Sequence, residues 1–164
     1  MNNFIIWITG KSKTGKSTIA KELKKYFDAI ETKSYVLEGK FIMNLFNDIG
    51  FNTLFIRERI RRLGIISYIL ADAGIVPIVP SVSPIREERE KIKQNSPVPF
   101  IEVYLKCHEL TRKSRSTTSN DFIDFVNKIF VPPEKPNIEI DTSIHNIEES
   151  VKIIIEYLKV NKYI

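Results

Sequence analysis

The 164-residue sequence carries 25 Lys+Arg against 20 Asp+Glu, a net charge of +5, with 43% hydrophobic and 27% charged residues; these proportions exclude disorder and fibrous repeats. A chain of this length is read as a single domain, residues 1–164, because domains typically run ~100–200 residues. The longest apolar runs, Phe4–Ile8 and Ile75–Val79, are far shorter than the roughly 18–20 residues that cross a bilayer, no leader-like segment is seen, and one cysteine, Cys107, excludes an internal disulfide. The expectation is a cytoplasmic protein without a membrane partner, with Cys107 buried as a small hydrophobe.

Taken in chain order, hydrophobic period and punctuation alternate strands with helices. Phe4–Thr9 reads as a buried strand bounded by Gly10, and Ser17–Phe27 follows as a helix with Ile19, Ala20, Leu23, Tyr26 and Phe27 at helical spacing. A short strand over Tyr35–Leu37 precedes a helical stripe of Phe41, Ile42, Leu45, Phe46 and Ile49 that stops at Gly50. A longer helix spans Thr53–Ala73, with Thr53 as its N-cap and Gly74 as its stop. Then come a strand at Ile75–Val79, a charged helical segment at Pro84–Lys93 capped by Ser83, and a strand at Phe100–Leu105. Glu109–Arg115 reads as helix and Ser116–Asn120 as loop, while Phe122–Val131 is apolar but ambiguous between helix and strand. A last strand at Ile138–Ile140 and an amphipathic helix at Ile147–Val160 close the chain. About five strands separated by helices imply an α/β fold of three layers, a parallel sheet with helices on both faces.

The segment Gly10-Lys11-Ser12-Lys13-Thr14-Gly15-Lys16-Ser17 matches G-x-x-x-x-G-K-[ST] and lies between the first strand and the first helix, the context this motif requires. Glycines let successive backbone N–H groups turn towards phosphate oxygens, and the new helix presents its positive end there. Lys16 would reach the β and γ phosphates of a bound nucleotide and the Ser17 hydroxyl would ligate Mg²⁺, with Thr18 next in the turn. The fold class is thereby the P-loop nucleoside triphosphate hydrolase-like one. The cluster Arg57, Arg59, Arg61 and Arg62 is not interleaved with aromatic residues, so no nucleic-acid partner is expected; a solvated helix face or an anion site remains.

Over nearly its whole length the chain resembles the adenylylsulfate (APS) kinase family. The resemblance rests on Ile6-Trp7-Ile8-Thr9-Gly10 running into the P-loop, Leu37 with Gly39, Asn47-Asp48-Ile49-Gly50-Phe51, Ile60-Arg61-Arg62 before Gly64, and Asp72-Ala73-Gly74. It continues through Ser83-Pro84 with Arg86, Phe100-Ile101-Glu102-Val103, and the segment from Pro133 to Thr142. It implies a P-loop kinase that moves the ATP γ-phosphate to the ribose 3′-hydroxyl of a nucleotide carrying a mixed anhydride, with Mg²⁺ as cofactor. It also implies roles for Arg115 at ATP and for Ser83, Phe51 and Phe125 at the acceptor, the two phenylalanines sandwiching its base.

The departures from the family pattern gather on the acceptor side. Glu38-Gly39-Lys40 stands where the family has Asp-Gly-Asp, Met43 and Ile56 replace arginines, Arg59 replaces an asparagine, and the lid is shortened to Ser116–Asp124. Glu38 is the candidate for orienting metal-bound water or taking the hydroxyl proton, Lys40 for an active-site cation, and Arg59 and Arg62 for anion ligands beside it. Two lost guanidinium partners argue against APS as the acceptor, because charge-assisted contacts are worth roughly 1.5–3 kcal/mol each. The general plan is similar to that of cytidine diphosphoramidate kinases of capsule synthesis, which makes cytidine 5′-diphosphoramidate the first acceptor to consider. An authentic APS kinase and a catalytically silent nucleotide sensor are the alternatives. Small-molecule nucleotides are the expected partners, with a homodimer as the one assembly considered. His108 and His145 read as structural or solvent-facing.

Overall fold

The computed structural model describes residues 3–46, 52–115 and 120–164. Five strands, β1 (Ile5–Thr9), β2 (Ser34–Val36), β3 (Val76–Pro80), β4 (Phe100–Lys106) and β5 (Ile138–Asp141), form one sheet in the order β2-β3-β1-β4-β5. Every pairing is parallel, with Trp7 opposite Val79 on one side and Glu102 on the other. The α/β three-layer P-loop fold expected from the sequence is the one observed.

Because side chains alternate across a strand, β1 feeds two cores. Phe4, Ile6 and Ile8 pack with Ile19, Leu23 and Phe27 of α1 (Lys16–Ala29) and Ile154 and Leu158 of α7 (Ile147–Val160). Ile5 and Trp7 pack on the opposite face with Ile56, Ile60 and Leu63 of α3 (Thr53–Asp72), Ile92 of α4 (Arg86–Asn95) and Ile42 of α2 (Gly39–Leu45). Two short helices, α5 (Glu109–Ser114) and α6 (Asp121–Lys128), lie between β4 and β5. The ambiguous stretch after Asn120 is therefore helical up to Lys128; Asn120 caps it by accepting the Ile123 N–H at 2.8 Å.

Several local expectations are corrected. The cap of α3 is Asn52, whose side chain accepts the Phe55 N–H at 3.0 Å, one residue before Thr53. Asparagine outranks threonine at this position, which accounts for the shift. The helix expected from Pro84 starts at Arg86 behind a cap at Ile85, so Ser83 caps nothing. Cys107 is half-exposed at the end of β4, its Sγ 3.5 Å from Ser143 Oγ, because the strand has left the core by Lys106. Ile49 and Gly50 lie outside the described residues. No helix among the described residues is long and apolar enough to cross a membrane.

One buried ion pair joins four parts of the chain. Arg89 of α4 is 1% exposed; its Nε donates to Glu102 Oε1 on β4 at 3.1 Å, Nη1 to the Ser83 carbonyl, and Nη2 to the Val131 carbonyl at 2.7 Å. Removing one partner of a buried pair leaves an uncompensated charge, a loss of about 3–5 kcal/mol. Glu102→Ala is therefore expected to lose about that much in urea unfolding followed by the fluorescence of Trp7, the only tryptophan. A loss under about 1 kcal/mol would show that the pair adds nothing to the fold.

Candidate active site

The chain runs β1, β2, β3 to one side of the sheet and then β4, β5 to the other, so a crevice opens beyond the carboxyl end of β1. The loop from Gly10 to Gly15 occupies that position and leads into α1. Gly10 has φ 147°, and a Cβ placed there would lie 2.3 Å from the Leu105 carbonyl oxygen, so only glycine fits. Lys13 and Gly15 also have positive φ, 68° and 97°, which curls the loop back on itself.

Lys16, in the first turn of α1, is 8% exposed; its ammonium donates to the carbonyls of Gly10 at 2.9 Å and Lys11 at 2.7 Å and lies 3.5 Å from Thr14 Oγ1. Burial, and secondarily the nearby Arg112 charge, push its pKa down to about 7. Ser17 and Thr18 are exposed on the same helix start. Glu38, the residue before α2, pairs with Lys21 at 3.7 Å, one helical turn beyond Ser17, so the Glu38 carboxylate reaches the Ser17 face of α1. A hydroxyl and a carboxylate are oxygen donors of the kind Mg²⁺ takes. No cluster of three His, Cys, Asp or Glu is found among the described residues.

A cavity of about 510 Å³ opens beside the loop, lined by Lys13, Thr14, Gly15 and Thr18 on one side and by Thr142, His145 and Ile147 on the other. Arg115 borders it, donating from Nη1 to Thr142 Oγ1 at 3.1 Å and from Nη2 to the Thr142 carbonyl. His145, expected to be incidental, thus faces the same cavity as the loop.

The acceptor-side candidates among the described residues lie on α2, α3 and α6 and on the segment after β3. Arg59 is 8% exposed and lies over the Phe122 ring at 5.0 Å. Arg62 pairs with Glu58 at 2.9 Å and lies 4.6 Å over Phe46. Phe125 is half-buried against the apolar cluster below α3. Lys40 is exposed in the first turn of α2, two residues from Glu38. Ser83 is 2% exposed with φ 41°, and its Oγ accepts the Trp7 indole N–H at 3.1 Å, so it braces the backbone under the site. Arg57 is an inter-helix strut to Glu87 and Glu88 of α4, and Arg61 pairs with Glu58. Phe51 lies outside the described residues.

Five residues that the sequence reading passed over belong here. Lys21 orders Glu38; Phe46 and Phe122 support the arginines. Asn127 Oδ1 accepts the Ser12 N–H at 2.8 Å, and Arg112 Nη1 lies 3.4 Å from the Ser12 carbonyl. The i, i+4 spacing of Lys21 from Ser17 was a usable signal; the approach of Asn127 across 115 positions was not.

Comparison with known proteins gives a consistent result. The sequence profile described as Adenylylsulphate kinase matches residues 2–120. The chain is 35% identical over 172 residues to an adenylyl-sulfate kinase of Oceanobacillus iheyensis, covering 98% of this chain and 86% of that one. It is 37% identical over 167 residues to an adenylyl-sulfate kinase of Staphylococcus haemolyticus, with 94% and 83% covered. Among solved structures it is similar to the Mycobacterium tuberculosis APS kinase in complex with AMPPNP and APS, at TM-score 0.84 and 24% identity with 96% and 98% of the chains covered. Shikimate kinase from Aquifex aeolicus shares the fold at TM-score 0.62 and 14% identity, with 97% and 98% covered.

A polyphosphate on the loop would restore the charged form of Lys16, whose pKa burial has lowered to about 7. Above that pH the free protein carries neutral Lys16, so binding takes up a proton. Calorimetry of Mg-ATP binding at pH 8, in buffers of different ionisation enthalpy, is expected to show uptake approaching one proton that disappears in Lys16→Met. Equal heats in all buffers would place the Lys16 pKa well above the measured range.

Proposed function

The chain belongs to the adenylylsulphate kinase family, and on that premise we propose that it transfers the γ-phosphate of ATP to the ribose 3′-hydroxyl of a nucleotide carrying a mixed anhydride. The observation that carries this reading is the convergence of Lys16, Ser17 and Glu38 at the carboxyl end of β1, with Glu38 tied by Lys21 to the helix that bears the other two. Phosphoryl transfer needs little covalent help from protein and rests on positioning and charge neutralisation.

Each residue then has a defined task. The loop amides and Lys16 hold the β and γ phosphates, and Arg115 with Thr142 borders the cavity suited to the donor base. Ser17 and, through water, Glu38 would hold Mg²⁺, which when bound neutralises charge on the bridging oxygens. Glu38 also stands where it can take the acceptor hydroxyl proton, and Lys40 adds a cation at the same edge. Phe125 would stack on the acceptor base, with Arg59 and Arg62 beside its anhydride and Ser83 bracing the floor.

For the acceptor's terminal group two observations pull apart. The relatives described above are adenylyl-sulfate kinases, which favours adenylyl sulfate. Against that, Ile56 is 2% exposed inside the apolar cluster and Met43 is half-buried, so neither former arginine position offers a guanidinium to sulfate. We take the second as the stronger sign of an acceptor other than adenylyl sulfate, with cytidine 5′-diphosphoramidate first in line. Its N–H donors would suit Glu38 better than an arginine would.

Steady-state assays with saturating Mg-ATP, with 3′-phosphorylated product resolved by chromatography, compare the two acceptors directly. The expected outcome is a kcat/KM for adenylyl sulfate at least ~100-fold below that of the best other anhydride, a difference of about 2.7 kcal/mol. Turnover is expected to vanish in Lys16→Ala. Adenylyl sulfate proving the better acceptor would mean that Arg59 and Arg62 have taken over sulfate recognition. Nucleotide binding without product from any acceptor would leave the silent-sensor alternative.

A further inference from the structure

Arg112 lies outside every motif described above, yet its surroundings are those of a site. It sits on α5 and is 8% exposed. Its guanidinium approaches the middle of the phosphate loop, with Nη1 3.4 Å from the Ser12 carbonyl. Among the described residues the carboxylate paired with it, Glu109, is 4.0 Å away, largely exposed, and engaged at 2.8 Å by Lys113. Arg112 therefore keeps most of its charge uncompensated while sheltered from water.

The same place also holds Lys16, whose ammonium is met by carbonyl oxygens and not by carboxylates. Lys16 and Arg112 meet neighbouring carbonyls of the loop, Lys11 at 2.7 Å and Ser12 at 3.4 Å, and two sheltered cations this close favour an anion shared between them. Ser12, whose carbonyl Arg112 approaches, is held at its N–H by Asn127 of α6, so two helices fix one residue of the loop. Arg115, three residues on, meets the loop farther along, at the Lys13 carbonyl at 3.5 Å, and is anchored to Thr142 at the edge of the base cavity, whereas Arg112 meets it at Ser12, next to the Lys11 carbonyl that Lys16 holds.

We propose that Arg112 is a catalytic residue that binds the γ-phosphoryl group of the donor during transfer. The inference rests on the phosphotransferase reading above. In that step the bond from the γ phosphorus to the β–γ bridging oxygen breaks, its electron pair leaving with ADP. The acceptor oxygen bonds to phosphorus and its proton passes to Glu38. Arg112 meets the equatorial oxygens, on which charge is spread, and Lys16 holds the β–γ side. A fork of N–H donors suits two oxygens of one phosphoryl group, which a lysine cannot match.

The test needs no acceptor. Calorimetric titration of Arg112→Met and Arg112→Lys with Mg-ATP and with Mg-ADP separates the γ contact from the rest of the nucleotide. ATP affinity is expected to fall at least tenfold in Arg112→Met while ADP affinity stays within twofold of wild type, with Arg112→Lys intermediate. With the acceptor identified by the assays above, kcat should fall at least 100-fold in Arg112→Met. Equal losses for ATP and ADP, or no loss for either, would overturn the proposal and return Arg112 to a structural role. If Arg112→Met does not fold, as judged by Trp7 fluorescence, the ATP-to-ADP comparison in Arg112→Lys decides in the same way. A wild-type protein that binds ATP more tightly than ADP but phosphorylates nothing would defeat the kinase reading and leave the Arg112 contact standing.

Discussion

The architecture turns on a contact that leaves no room for a side chain, where Gly10 passes 2.3 Å, measured from a notional Cβ, from the Leu105 carbonyl. That approach ends β1 against β4 and forces the chain to reverse at once, so the loop folds over the strand end. Lys16 is carried back with it, and its ammonium closes on the carbonyls of Gly10 and Lys11, the first residues of the same loop. The positions of Ser17, Lys21 and Glu38 follow from where α1 then starts. Strand packing thus sets the geometry of the chemistry, because β1 is buried on both faces and cannot shift without disturbing both cores.

Charge is distributed unevenly for a chain of net charge +5. On α3 and α4 the arginines are matched by carboxylates: Arg57 by Glu87 and Glu88, Arg61 and Arg62 by Glu58, Arg89 by Glu102. Around the loop Lys16 and Arg112 face backbone carbonyls, and among the described residues the acid paired with Arg112, Glu109, stands 4.0 Å off. Matched pairs fix helices to each other. Cations held by weak dipoles retain the field that draws a polyanion.

The sheet, its helices and the phosphate loop were legible in the sequence because each rests on local pattern: alternation in β1, helical stripes in α1 and α7, and contiguous loop residues. What escaped depends on tertiary approach. Asn127 and Arg112 reach Ser12 from 115 and 100 positions away. Ser83 has the residue type of a helix cap, but the indole of Trp7 takes its oxygen and α4 begins later. Cys107 is apolar enough for a core, but β4 has already reached the surface there. Arg57 looks like a solvated residue until α4 supplies two carboxylates.

The acceptor side shows how a helix can move a charge without changing its course. Ile56, Arg59, Ile60 and Leu63 share the buried face of α3, at i, i+3, i+4 and i+7. With isoleucine at position 56, where the family resemblance implies an arginine, the apolar core gains one residue, and the guanidinium of Arg59 stands three residues on, roughly 4.5 Å along the axis. The Phe122 ring lies 5.0 Å from the Arg59 guanidinium and supports it from one side. A terminal group recognised from this position sits differently relative to Ser17 and Glu38 than one recognised from position 56. On the proposed reading, the cation at this shifted register would select a different shape of acceptor, while the donor half is anchored by β1, buried on both faces.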